Sequence, residues 1–345
     1  MKFAAYAMPS YQPAFGLTQS EFLRATIDQL AYAETLGFDS VWVNEHHFHQ
    51  YGGLMPSLPT MLAALSQRTS RVRMGTSVVL LPLHNPIVVA EQLAMVDLMS
   101  GGRLEFGVGR GFVAHDYEVI GVPHDDAQRR LIEALEVVKM AWSGEPINHD
   151  GTYYHYRNVQ VWPQPEQRPH PPIWLAASRS PSSFEWAGAQ GLKLLTIGYI
   201  QRLTNLGDLT RIYRDAWASQ AGAEATIATH YHVVVAEDRA SARRTAESAL
   251  AEHVRLNRAS QALSASAPAR EEPPIDQLVD EGRLIAGDPD DCARMLRRAG
   301  DEIGCSETHC LFQFGDIDFA TAQRSMELFA AEVMPRLRAT EAVVG

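Results

Sequence analysis

Eight short apolar runs, each followed by a helical pattern, constrain this chain more than any other feature. The runs are KFAAYAM (2–8), SVWV (40–43), VRMGTSVVLLP (72–82), LEFGVG (104–109), PIWLAA (172–177), LKLLTI (192–197), TIATHYHVVVA (226–236) and THCLFQF (308–314). Strands covered on both faces read as near-continuous apolar runs, the mark of a parallel sheet under helices. Helix signals lie between them. Thr18-x-x-Glu21 is a capping box ahead of Leu23, Ile27, Leu30 and Ala31. Ser57 and Pro59 open a helix with Leu58, Met61, Leu62 and Leu65 on one face, and Pro86 opens another that Gly101-Gly102 stops. Helices over Ala127–Trp142, from about Ser182, around 203–220, and from 238, Pro289 and Asp318 complete the alternation.

Eight such units predict an α/β fold, a (β/α)8 TIM barrel forming a single domain over 1–345. Residues 145–171, rich in Pro, Gly, Tyr and His, read as an insertion after the fourth helix. SASAPAREEPP (264–274) reads as a mobile loop after the seventh strand, within a lid over about 260–287. The rival fold, an open doubly wound sheet, calls for a glycine fingerprint after the first strand, where this chain has MPSYQP. GVGRG at 107–111 lacks the third glycine at the required place.

Thirty Lys and Arg against 41 Asp and Glu give a net charge of −11, which argues against nucleic acid or an anionic membrane as partner. No apolar run approaches the roughly 18 residues of a spanning helix. The start, MKFAAYAMPSYQP, is too short and too proline-interrupted for a signal peptide. Cys292, Cys305 and Cys310 show no CxxC spacing, so neither a zinc site nor a redox pair is expected, and a cytoplasmic setting is.

Barrel active sites gather where strands enter the following loops. The second strand ends in Asn44-Glu45-His46-His47-Phe48-His49. Neighbouring imidazoles suit acid–base chemistry, simple packing or a metal. Adjacent residues on an extended segment point opposite ways, so His46 and His47 cannot easily share one ion, and no metal is expected. At the fifth strand, Ser178-Arg179-Ser180-Pro181-Ser182-Ser183 puts hydroxyls at a helix start, which is either an anion site or ordinary capping. Arg110, between two glycines at the end of the fourth strand, reaches an anion or pairs with Asp116. The apolar helix after Pro86 has faces enough for the barrel and a second subunit, so a homodimer is expected.

FDSVWVNEHHF (38–48), MGTSVVLLPLHNPIVVAEQLAMVDLMSGGRLEFGVGRG (74–111), SSFEWAGAQGL (182–192) and SMELFAAEVMPRL (325–337) resemble, in order, the bacterial luciferase-like flavin monooxygenases. Within that family the chain looks most like the alkanal-monooxygenase α chain. The resemblance implies a barrel that takes reduced FMN from a separate flavin reductase. The flavin reacts with O2 to a C4a-hydroperoxyflavin that oxygenates a small organic substrate. It also implies roles. His46 matches the catalytic histidine and Asp116 a carboxylate near the flavin. Arg110 and Ser178 match phosphate ligands, with a second hydroxyl from Ser182 or Ser183. Ser77-Val78 falls at a non-prolyl cis peptide under the flavin ring. Ala177 stands at a phosphate-side glutamate, Gly109 at a reactive cysteine and Val113 at a tyrosine. These departures weigh against light emission and long-chain aldehydes. Alternatives with the same barrel are F420-dependent hydride transfer and a non-catalytic flavin-binding protein. A metal-dependent barrel hydrolase is the alternative of a different class.

Overall fold

Every neighbouring pair in the main sheet is parallel, and the sheet closes on itself. In the computed structural model, which describes residues 1–217, 224–264 and 273–338, the barrel strands are β1 (Lys2–Ala7), β2 (Ser40–Val43), β3 (Arg73–Thr76), β4 (Leu104–Gly109), β5 (Ile173–Ala176), β6 (Lys193–Ile197), β7 (Ile227–Val235) and β8 (Glu307–Leu311). They pair in sequence order, and β8 returns to β1 through Ala4↔His309 and its neighbours. The (β/α)8 barrel expected from the alternation is what the chain forms.

The helices begin and end where their caps dictate. The helix Gln19–Thr35 carries the full Thr18/Glu21 capping box. Asn85 caps Pro86–Ser100, accepting from Ile87 N–H, and Gly101 ends that helix at φ 66°, a conformation glycine adopts without steric cost. Asp288 caps Pro289–Ile303, and the Asp291 carboxylate in its first turn is held by Arg239 and Arg294. The 145–171 insertion contains an antiparallel hairpin, Ile147–Asp150 with His155–Val159.

Three features depart from the sequence reading. The third run is not one strand: it breaks at Ser77–Val78, the non-prolyl cis peptide that the resemblance implied, and resumes as Val79–Leu80 against β4. A short helix, Ala114–Ile120, follows β4. Much of the span expected as a lid has regular structure. Residues 265–272 lie outside the described residues, but Ile275–Asp280 is helical and Ile285–Gly287 pairs with β7 at Val233–Val235. No helix among the described residues is long and apolar enough to cross a membrane.

The barrel interior is filled, not open. Ala4, Trp42, Trp174, Leu195 and Ala228 pack across it. Below them Glu105 accepts from Trp174 Nε1 (2.6 Å) and pairs with Arg73 and Lys193. Glu307 accepts from Ser40 (2.6 Å) and contacts His309 Nε2 (3.1 Å). A larger apolar shell lies between strands and helices.

Candidate active site

The segment that leaves β2 at the carboxyl end of the barrel is polar and almost entirely withdrawn from solvent. Asn44, Glu45, His46 and His47, leaving β2, are exposed by only 2%, 4%, 8% and 9%. Alternation sends the two imidazoles to different partners, as the extended backbone requires. His47 Nε2 and His84 Nε2 both lie against Glu45 Oε1, at 2.7 and 2.6 Å. Burial raises the Glu45 pKa, yet the two imidazole contacts outweigh it and hold the carboxyl below its usual range.

His46 turns the other way. Its ring lies 5.3 Å from that of His49, 5.2 Å from Tyr51 and 5.9 Å from Phe112. Burial, reinforced by His49, lowers its pKa to about 3, so it is a neutral base at pH 7. Burial likewise lowers His49 to about 4. Asp116, in the first turn of Ala114–Ile120, faces His49 with Nε2 to Oδ1 3.7 Å, rather than the pairing with Arg110 considered above. Burial lifts its carboxyl to about 6.

The other sequence-selected residues divide. Ser77 Oγ is 3.2 Å from His230 Nε2, and the His230 ring packs on Tyr6 and His309. Val78 lies beside Gly109, where a Cβ would come within 2.6 Å of Val78 Cγ2 and 3.3 Å of Ala176 Cβ. A cysteine at 109 would not fit this backbone without displacing Val78. Arg110 is exposed at the end of β4, and its carbonyl accepts from Tyr117. Ser178 is half-buried at the end of β5. Since β4 and β5 pair through Val108↔Leu175, Arg110 and Ser178 leave neighbouring strands at the same end of the barrel. Ala177, next to Ser178, is buried in the large apolar core, with its N–H on Leu195 O. Ser180 makes no side-chain cap to the helix Pro181–Ala189; its hydroxyl meets that of the exposed Ser182 at 2.8 Å, and Ser183 is half-buried.

Several residues at the rim escaped the sequence reading. Asn44 is buried with neither amide atom paired, and His46 Nδ1 and His232 Nε2 are unpaired too. Buried polar atoms without partners are expensive, so their convergence at the mouth fits a bound group that presents hydrogen-bonding edges. The signal for His230 and His232 was available: two apart on one strand, they share the inward face.

A family model described as luciferase-like monooxygenase matches residues 1–306, and alkanal monooxygenase α chains are among the chain's relatives. The monooxygenase RslO1 of Streptomyces bottropensis superposes with a TM-score of 0.90 at 29% identity, over 97% of this chain and 99% of that one. The oxygenase component of the flavin-dependent trigonelline monooxygenase of Acinetobacter baylyi is 35% identical over 176 residues, 50% of this chain and 48% of its own length. The F420-dependent glucose-6-phosphate dehydrogenase of Amycolatopsis mediterranei is 30% identical over 336 residues, 92% of this chain and 95% of that one. Against three of its curated relatives the chain spans 56%, 62% and 48% of their length. The chain belongs to the luciferase-like monooxygenase family.

Proposed function

We propose that this chain is the oxygenase of a two-component system, a cytoplasmic homodimer that uses reduced FMN from a separate reductase, and O2, to oxygenate a small organic substrate. The observation that carries this reading is one convergence of side chains: a buried His46 and an unpaired Asn44 share a mouth with Arg110 and Ser178. Arg110, Ser178 and the start of Pro181–Ala189, with Ser182 or Ser183, would hold the phosphate, because a guanidinium and free N–H donors favour an anion. Ser77 and Val78 would line the ring, with Asn44 offering its amide to a polar edge. Bound reduced flavin would supply the electrons and the centre that activates oxygen. His46 takes a proton from the reacting substrate, and its desolvation keeps it free to do so. Asp116 stands behind it through His49. Solvent exclusion at the rim limits wasteful loss of reducing equivalents as peroxide. The exposed Val88, Met95, Leu98 and Met99 of the helix Pro86–Ser100 supply an apolar face for the second subunit.

The extent of the likeness to an F420-dependent dehydrogenase favours one second reading, hydride transfer to or from F420 without oxygen. The two are separated by anaerobic titration with reduced FMN and with F420, followed by oxygen uptake and product analysis with a reductase, NAD(P)H and a substrate panel. Reduced-FMN binding with oxygen-dependent product supports the oxygenase. Tight F420 binding with no oxygen requirement replaces it.

A further inference from the structure

Two loops at the barrel mouth bring together three side chains of metal-ligand type, each with a buried polar atom left without a partner. His46 and His49 come from the segment after β2, and Asp116 from the first turn of Ala114–Ile120. One ligating atom of each lies within 4.8 Å of the other two. Four polar atoms in this cluster are buried and unpaired: His46 Nδ1, both ring nitrogens of His49, and Asp116 Oδ1. A buried polar atom left without a partner is destabilising. A neutral imidazole carries one lone-pair nitrogen, so His46, His49 and Asp116 can each turn one acceptor atom toward something bound between them.

The donor set narrows what that is. Two imidazoles and a carboxylate suit a borderline divalent metal. With metal–nitrogen bonds of about 2.0–2.1 Å and tetrahedral angles, ligand atoms stand roughly 3.3 Å apart and two imidazole centroids roughly 5 Å apart. The distances found are 3.7 Å between His49 Nε2 and Asp116 Oδ1, and 5.3 Å between the His46 and His49 rings. The neighbouring Glu45, His47 and His84 also lie within ligating range, but their contacts at 2.7 and 2.6 Å already satisfy one another.

We propose that His46, His49 and Asp116 form a site for one divalent transition-metal ion of the zinc class. An ion seated there takes the imidazole that the oxygenase reading uses as its base, so the two occupancies exclude each other. The inference goes beyond that reading and does not depend on it.

The test is titration of the metal-stripped full chain with Co2+ and Zn2+ in the absence of flavin. The expected result is one ion per chain, with a visible cobalt band of a four- or five-coordinate site. His49→Ala and Asp116→Ala should each weaken binding by at least about 100-fold, above the usual effect of losing an outer-shell partner, while His84→Gln keeps it. Zinc should raise the Tm of the wild type and of His84→Gln, and not that of the folded His49 and Asp116 variants. His49→Gln and Asp116→Asn, which preserve volume, replace any variant that does not fold. Loss of binding in His84→Gln, with binding kept in His49→Ala, would move the ion to Glu45 and overturn the assignment. Wild-type affinity no greater than that of the His49/Asp116 double variant would overturn it as well, leaving the cluster to water or substrate.

Discussion

His47 and His84 meet on a single oxygen of Glu45, one imidazole from the loop after β2 and the other from the turn before Pro86. Burial lowers the His84 pKa, but the Glu45 hydrogen bond and charge overcome it and leave it raised. The carboxylate thus ties two loops of the rim together. Glu45→Gln should destabilise the protein by about 3–5 kcal/mol, the range for breaking a buried charged pair by removing one partner. Urea unfolding followed by fluorescence measures this. A loss under about 1 kcal/mol would show that the rim holds without the shared acceptor.

Gly75 lies flat against the Trp42 ring, and a Cβ there would fall 2.1 Å from Trp42 Cε3. Trp42 is fully buried, with its indole N–H on Ser40, so the ring has little room to give way. Gly75→Ala should therefore destabilise by at least the roughly 1–3 kcal/mol of ordinary overpacking. A thermal melt showing an unchanged Tm would mean that the interior layer repacks.

The floor of the barrel sets an acid limit. Burial raises the Glu307 pKa, but His309, Ser40 and Lys2 outweigh it and bring it down to about 2. A carboxylate whose folded pKa is lowered stabilises above its unfolded pKa and loses that stabilisation as pH falls toward the folded one. The window here runs from about 4.5 down to about 2. Its size is on the order of 3 kcal/mol. The stability difference between wild type and Glu307→Gln should be largest at neutral pH and shrink through this window. A difference independent of pH between 7 and 3 would place the effect in packing instead.

Arg110→Ala should weaken reduced-FMN binding by about 1.5–3 kcal/mol, the worth of a hydrogen bond to a charged group. Arg157→Ala, an exposed arginine of the hairpin, should leave it unchanged. Anaerobic fluorescence titration reads both. Equal affinities would send the phosphate elsewhere on the rim.

His46→Ala should keep flavin binding and lower oxygenation by about 10²–10⁴, the usual contribution of one acid–base group. The measurement is product formed per reduced flavin consumed. An unchanged yield would remove His46 from the chemistry.

The barrel was legible because its signals are local. Runs buried on both faces announce parallel strands, and Thr18, Pro86 and Gly101 mark helix ends by their own stereochemistry. The rim was half legible. Arg110 and Ser178 could be picked out from strand ends alone, whereas Ala177 was named only through the resemblance, and it packs among apolar side chains. Asp116 was named beforehand, but its approach to His49, and the burial of Asn44, depend on how two loops fold over each other, which no periodicity encodes. The break at Ser77–Val78 lay inside an unbroken apolar run, and apolarity carries no record of where pairing with β4 shifts.

The layer of Trp42, Trp174, Leu195 and Ala4 plugs the ring of strands from within. A ligand held at the carboxyl rim would therefore have to arrive and leave on that side of the plug, so the loops that carry His46 and Asn44 would frame its approach.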